Sequence, residues 1–257
     1  MTSAPTRVHH WTTDYFREGY LESLPPAYGT TVAEEQVQEL VRLLMPPSGG
    51  MLLDVPSGNG RLTIPLARLG YDVVAVDHNP MYLKRASLAL KQEGLHANLI
   101  EDDMYRLTRI AGTFDGALCY GSALGYHGET EDIALFTRVR ACLKPGGHFV
   151  IETDGYEWLM GQAPARHWYA NPNGWYSVAG FLERDLHAGR IRMEHHFINA
   201  DLGRRETAVV DCLLYSLKDL TRLLNAAGFN VLATEDGTGK AYTARSPKLV
   251  VLAQKSD

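Results

Sequence analysis

The sequence predicts an α/β domain built on a parallel, doubly wound sheet, and three features carry that expectation. Short apolar runs recur at residues 51–55, 71–76, 97–100, 114–119 and 148–153, with helical patterns between them. These runs show no polar alternation, as strands covered on both faces require. The stretch from Met51 to Asp77 reads as strand, glycine-bearing turn, helix and a second strand ending in an acid.

Before this unit, Trp11, Tyr15, Phe16, Tyr20, Leu21 and Leu24 fit an aromatic helix over residues 8–24, broken at Gly19 and ended by Pro25-Pro26. Thr31-Val32-Ala33-Glu34 has capping-box form, and Val37, Leu40, Val41 and Leu44 then make one apolar helical face. In the helix after the glycine turn, Pro65 either delays the start or bends the axis. Asn79 and Pro80 suit the cap and first position of the next helix, which Gly94 stops. Ile133, Phe136, Val139, Arg140 and Leu143 follow helical spacing, and Lys144-Pro145-Gly146-Gly147 turns into the fifth strand.

The rhythm breaks after that strand. Within residues 190–198, Ile191, Met193, His195 and Phe197 alternate with Arg190, Arg192, Glu194 and His196. Residues 206–215 and 178–186 read similarly, so residues 155–215 form an inserted antiparallel meander able to cover the sheet's crevice. Ser216 caps a helix bearing Leu220, Leu223 and Leu224, closed by Gly228, and residues 229–234 and 248–253 supply the last strands. The division expected is a main domain of residues 1–154 and 216–257, with residues 1–30 as a helical cap on it, and a lid of residues 155–215.

The glycine turn points to an adenosine-containing ligand. Gly58 and Gly60 let backbone N–H groups approach it closely, and Asp77 at the second strand tip is placed for ribose hydroxyls. A dinucleotide site wants a third small residue where this chain has Thr63. Asp54, ending the first strand, would repel a pyrophosphate but suits a ligand carrying an ammonium and a sulfonium. S-adenosylmethionine has both.

The run Asp54-Val55-Pro56-Ser57-Gly58-Asn59-Gly60-Arg61 resembles the first motif of the class I S-adenosylmethionine-dependent methyltransferases, in particular small-molecule members with Asp-Leu-Pro-Cys-Gly-x-Gly-Arg. Pro56 stands where most members have the first glycine, so the turn there must differ locally. The resemblance covers most of residues 35–155 and 216–255. It implies a Rossmann-like, seven-stranded, mostly parallel sheet with an antiparallel edge hairpin. It also implies S-adenosylmethionine as cofactor and S-adenosylhomocysteine as product, held by Asp54, Pro56, Gly58, Asn59, Gly60, Arg61 and Asp77. His78 and Met81 would flank the adenine, Asp103 and the Met104 amide would read its edge, and Tyr120 and Gly121 would border the sulfonium. Tyr15 and Tyr20 would reach the methionine end or the substrate.

Methyl transfer from a sulfonium needs alignment first and a base only where the acceptor must lose a proton. His127 and His195 are the base candidates, with His196 behind them because it should face outward, and Glu152 and Asp154 could bind an amine or act as base. The fourth-strand loop lacks the Asn/Asp-Pro-Pro-Tyr run of enzymes that methylate nucleobase or glutamine amino groups. A nucleotide-dependent oxidoreductase, and an enzyme that cyclises the cofactor's amino-acid tail, remain alternatives to methyl transfer to oxygen, nitrogen or carbon.

The 257 residues carry a formal charge of −5 with no basic run interleaved with aromatics, which disfavours nucleic acid. No apolar stretch reaches membrane-spanning length, and residues 1–10 are no signal peptide. Cys119, Cys142 and Cys212 are odd in number and widely spaced, as reduced cytoplasmic thiols are, and no metal site is expected. The expected partner is a small molecule, and a homodimer stays open.

Overall fold

The computed structural model describes residues 10–24, 29–161 and 166–256. Two units divide the chain: Met1–Tyr28 with Gln162–Leu213, and Gly29–Gly161 with Leu214–Asp257. The N-terminal segment therefore groups with the insertion, where the sequence had suggested a cap belonging to the main domain. Residues 8 and 9 of the expected aromatic helix, and Pro25-Pro26, lie outside the described residues.

The smaller unit contains α1 (Trp11–Tyr15), α2 (Glu18–Glu22) and a four-stranded sheet of β6 (Arg166–Ala170), β7 (Trp175–Asp185), β8 (Arg190–Asn199) and β9 (Arg204–Leu213), antiparallel throughout in that order. The helical break falls at Phe16 and Arg17, not at Gly19. Gly19 is buried inside α2 for a packing reason. A Cβ there would meet the Glu206 carboxylate at 2.7 Å and Phe197 Cβ at 2.9 Å. The Gly19 N–H donates to Glu206 Oε2 at 3.1 Å, so the missing side chain brings the helix backbone onto the sheet. The alternation read in β8 holds: Ile191 and Phe197 are buried, Arg190 and Arg192 exposed. Strand β6 was not foreseen. It is an edge strand exposed at every position but Tyr169, so it lacks the alternation by which a half-buried strand is recognised.

The larger unit runs α3 (Thr30–Leu44), β1 (Met51–Asp54), α4 (Thr63–Arg68), β2 (Asp72–Asp77), α5 (Pro80–Glu93), β3 (Asn98–Glu101), β4 (Phe114–Cys119), α6 (Glu129–Cys142), β5 (Leu143–Asp154), α7 (Tyr156–Gly161), α8 (Leu217–Ala226), β10 (Phe229–Glu235) and β11 (Lys248–Lys255). Its seven strands take the order β10-β11-β5-β4-β1-β2-β3. All neighbours are parallel except β11, which is antiparallel to both β5 and β10. This is the expected doubly wound sheet with its edge hairpin. Chain direction across the sheet reverses between β1 and β4, which opens a crevice at their carboxyl ends.

Local chemistry explains most boundaries. Asn79 accepts from the Met81 N–H at the start of α5, and Gly94 ends it in the left-handed region at φ 66°. Ser216 accepts from the Asp219 N–H to cap α8. Helix α4 starts late, at Thr63. Pro65 then sits in its first turn, where a missing N–H costs nothing. The capping box at Thr31 is not formed. The helix starts one residue earlier, behind Gly29, and Glu34 pairs with Arg68 at 2.8 Å instead of reaching back. The 144–147 turn appears as a register break inside β5, with Leu143 opposite Phe114 and His148 opposite Gly116. Val37, Leu40 and Leu44 of α3 join Leu52, Leu118 and Val150 in one buried cluster under the sheet.

Candidate functional site

The switch point is built from the turn between β1 and α4. Hydrogen bonds stitch it to both neighbouring strands: the Val55 N–H donates to Leu118 O at 3.0 Å, and the Ser57 N–H to Val76 O at 2.8 Å. The Val55–Pro56 bond is cis, the local departure expected of Pro56. Gly58 and Gly60 take positive φ of 57° and 83°. They serve different ends. A Cβ on Gly60 would sit 2.9 Å from Ala86 Cβ, whereas a Cβ on Gly58 would meet nothing within 4 Å. Gly60 lets α4 and α5 pack, and Gly58 leaves open space above the turn.

Two carboxylates stand at adjacent strand tips. Asp77 is 6% exposed. Its Oδ2 accepts from the Gly58 N–H and its Oδ1 from the Asn79 N–H, each at 2.8 Å. Each oxygen keeps a lone pair for a further donor. Burial raises the Asp77 carboxyl against the lowering effect of these amides. Asp54 is 2% exposed, and its Oδ2 accepts from Thr63 Oγ1 at 2.6 Å. Burial pushes its carboxyl up to about 7, against lowering by the Thr63 hydroxyl and the Arg61 charge. Its Oδ1 has no donor among the described residues. Thr63, which on sequence only argued against a dinucleotide, is thus the residue that orients Asp54. Arg61 itself reaches Gln36 on α3.

His78, Met81, Asp103, Met104, Tyr120 and Gly121 all follow the carboxyl ends of β2, β3 and β4. His78 is exposed, with Nδ1 at 3.9 Å from Asp77 Oδ1, and Met81 is half-buried in the first turn of α5. The Asp102 N–H donates to Asp77 O at 3.2 Å, tying the loop after β3 to the tip of β2. The acids of that loop divide their work. Asp102 accepts from the Asp103 and Arg109 amides at 2.8 Å and closes the loop. Asp103 is half-exposed, with one oxygen on the Tyr105 N–H at 2.9 Å, and Met104 is buried. Tyr120 is buried at the end of β4, and Gly121, at φ 89°, again has nothing within 4 Å of a notional Cβ.

Two clusters at this end were not read as such from the sequence. Lys248 opens β11 opposite Asp154. Its Nζ donates to Asp154 Oδ1 at 2.9 Å and Ser122 Oγ at 3.1 Å, and lies 3.1 Å from Glu152 Oε1. The two carboxylates proposed as amine ligands or bases thus already share an ammonium. Asp132 of α6 is fully buried and accepts from Tyr215 Oη at 2.6 Å and the Gly125 N–H at 2.8 Å. Burial pushes its carboxyl up to about 6. It holds the loop that carries His127, an exposed ring packed edge-on to Tyr105 at 5.0 Å. A signal was available: Asp132, Leu135, Phe136 and Val139 share one helical face, so an acid stood in a core position.

Tyr15, Tyr20 and His195 are brought together in the smaller unit. The Tyr15 ring meets His195 edge-on at 5.0 Å and Tyr20 at 4.8 Å. With Phe197 and Tyr169 they line a cavity of about 390 Å³. Burial pushes the His195 imidazole down to about 4, with the neighbouring His196 adding to the effect. That makes it a weaker base than its intrinsic value suggested. His196 bonds instead to Thr207 at 3.0 Å and Glu194 at 3.1 Å.

The open space over Gly58 and Gly121 and the buried Ser57 Oγ, which has no hydrogen-bond partner among the described residues, fit a ligand seated on this turn. Two acids with spare lone pairs on this turn fit a cationic nucleoside and would repel a pyrophosphate. Residues 52–147 match the family described as "Methyltransferase domain". Beyond it, the chain is 31% identical over 159 residues to a ubiquinone biosynthesis O-methyltransferase of Cereibacter sphaeroides, covering 56% of this chain and 63% of that protein. It is 26% identical over 155 residues to a glycine/sarcosine N-methyltransferase of Parasynechococcus marenigrum, covering 58% and 55%. The matched stretch thus spans between half and two thirds of these relatives' length. A solved S-adenosylmethionine-dependent methyltransferase from Clostridium acetobutylicum has a similar fold, with a TM-score of 0.78 at 20% identity over 89% of this chain and 92% of that one.

Proposed function

We propose that this chain is an S-adenosylmethionine-dependent methyltransferase that methylates an oxygen, nitrogen or carbon of a small-molecule acceptor. The observation that carries the reading is the pair of buried carboxylates, Asp54 and Asp77, on either side of a glycine turn with open space above it. When bound, the cofactor supplies a methyl already activated on a sulfonium. The chain's part is to bind and align. Asp77 takes the ribose hydroxyls on its spare lone pairs. Asp54 takes the ammonium on Oδ1 while Thr63 holds Oδ2. Ser57 donates its free hydroxyl to the ligand. Asp103 and the Met104 amide meet the adenine edge, with His78 and Met81 beside the ring. Asn59, Arg61, Tyr120 and Gly121 border the same space. His127 is the candidate base of this unit. A reduced, cytoplasmic setting is supported by Cys119 and Cys142, both free thiols. No helix among the described residues is long and apolar enough to cross a membrane.

Calorimetry with a cofactor panel tests this. S-adenosylhomocysteine should bind and NAD should not; the reverse result overturns the proposal. Asp77→Ala should weaken S-adenosylhomocysteine more than tenfold with the fold intact by circular dichroism, and unchanged affinity removes the ribose role. Incubation with a methyl-labelled donor and a metabolite panel should yield labelled product and S-adenosylhomocysteine. Release of 5′-methylthioadenosine instead would show tail cyclisation.

A further inference from the structure

Ser122 stands in a conformation that its residue type resists. Its φ is 57°, in the left-handed region, and it follows Gly121 in the loop after β4. A residue with a Cβ is strained in that region where glycine is not. Met45 also has a positive φ, but it closes helix α3, where the left-handed conformation is ordinary. Ser122 closes no helix. Such a residue persists where its neighbours hold it from several sides.

Its holders come from the seam between β5 and β11. The Ser122 N–H donates to Glu152 O at 3.2 Å. Its Oγ accepts from Lys248 Nζ at 3.1 Å and lies 3.5 Å from Glu152 Oε1. The Lys248 ammonium meets one acceptor for each of its N–H groups: Ser122 Oγ, Asp154 Oδ1 at 2.9 Å and Glu152 Oε1 at 3.1 Å. Backbone packing places its stem. The Gly155 N–H donates to Pro247 O at 2.8 Å, and a Cβ on Gly155 would meet Ser246 O at 2.0 Å. Residues 246–248 are thus pressed onto the tip of β5, and the ammonium is aimed before any ligand arrives. Neutralising the buried Glu152 accounts for a cation here. It does not require the Ser122 hydroxyl. That contact ties the cation to the loop beside Gly121.

We propose that Lys248 is a positioning residue for the cofactor site. Its ammonium holds Ser122 in the left-handed conformation and so fixes Tyr120 and Gly121, the part of the loop assigned to the cofactor's sulfonium end. Lys248 acts through Ser122 and does not itself contact the ligand. The inference rests on the methyltransferase reading and adds to it a residue from the last strand. All the residues involved belong to the larger unit, as the glycine turn does.

Calorimetry on the full chain with S-adenosylhomocysteine and adenosine tests it. Adenosine keeps the base and ribose, assigned to Asp77, Asp103 and Met104, and lacks the sulfur and the amino-acid tail. Lys248→Met should weaken S-adenosylhomocysteine about tenfold and leave adenosine within about twofold of wild type. Ser122→Ala loses the hydroxyl but keeps the backbone strain, so it should show the same selective loss. Ser122→Gly loses hydroxyl and strain together, so its S-adenosylhomocysteine affinity should stay within about threefold of wild type. Adding Lys248→Met to Ser122→Gly should then weaken binding by less than about twofold more, the coupling expected of a residue that acts through another. The proposal is overturned if Lys248→Met leaves S-adenosylhomocysteine unchanged, weakens adenosine equally, or has its full effect beside Ser122→Gly. Circular dichroism checks each fold. Should Lys248→Met not fold, Ser122→Ala against Ser122→Gly decides, and equal affinities in those two overturn the proposal. A wild-type chain that fails to bind S-adenosylhomocysteine sinks the methyltransferase reading, whereas intact wild-type binding without this pattern sinks only this inference.

Discussion

Asp54 is the side chain whose state depends most on what lies beside it. It is fully buried, one oxygen is held by Thr63, and desolvation pushes its carboxyl up to about 7. Its value in the unfolded chain is about 4. The folded value lies above the unfolded one, so the stability this group contributes is complete below about pH 4 and is lost as pH rises through about 7. Asp54→Asn keeps the shape and an acceptor for Thr63 but cannot titrate. Without ligand, the wild type should therefore lose more thermal stability between pH 4.5 and 7.5 than Asp54→Asn, as scanning fluorimetry across that range would read. Parallel curves would mean that Asp54 carries no such shift. The same titration predicts that an ammonium-bearing nucleoside releases a proton on binding near neutral pH. Its affinity should climb between pH 6 and 8 in the wild type and stay flat and weaker in Asp54→Asn.

At the scale of elements, the turn between β1 and α4 separates what folds the chain from what binds. Gly58 and Gly60 are two residues apart in one motif and read identically in sequence. In three dimensions one faces open space and the other faces Ala86 on α5. An alanine at position 58 pays only the left-handed backbone strain, about 1–2 kcal/mol. Gly60→Ala adds a 2.9 Å methyl contact that pushes α4 from α5. Gly58→Ala should thus lower S-adenosylhomocysteine affinity at least tenfold with a small fall in denaturation midpoint, and Gly60→Ala should unfold at clearly lower denaturant. Equal losses in both variants would refute the division. This motif was legible because its chemistry is local: strand, glycine, acid and helix cap all lie within one stretch of chain. Asp132 with Tyr215, and Lys248 with Glu152 and Ser122, were not, because their partners come from distant parts of the sequence. A lone buried acid or a strand-opening lysine names no partner until the sheet order is known.

At the scale of the whole chain, strand pattern foretold the seven-stranded sheet because parallel strands covered on both faces are apolar without interruption. It misassigned the N-terminal segment because helix-to-sheet packing is carried by single contacts that periodicity does not show. Gly19 is such a contact. Its N–H bonds Glu206, and the space of its missing Cβ is filled by Glu206 and Phe197. Tyr15 and Tyr20 belong to the same unit as that contact and line its aromatic cavity. The proposed cofactor determinants Asp54, Ser57, Gly58 and Asp77 all belong to the other unit. Gly19→Ala should therefore disturb the smaller unit and spare the cofactor turn. The added methyl displaces α2 from β8 and β9, so the near-ultraviolet circular dichroism of the rings around Tyr15 and Tyr20 should change. S-adenosylhomocysteine affinity should stay within about threefold of wild type, since 1.4 kcal/mol would be needed for a tenfold change and no residue of the glycine turn is touched. Circular dichroism and calorimetry on the one variant read the outcome. A tenfold or greater loss of cofactor affinity would refute the assignment of the cofactor determinants to the larger unit alone.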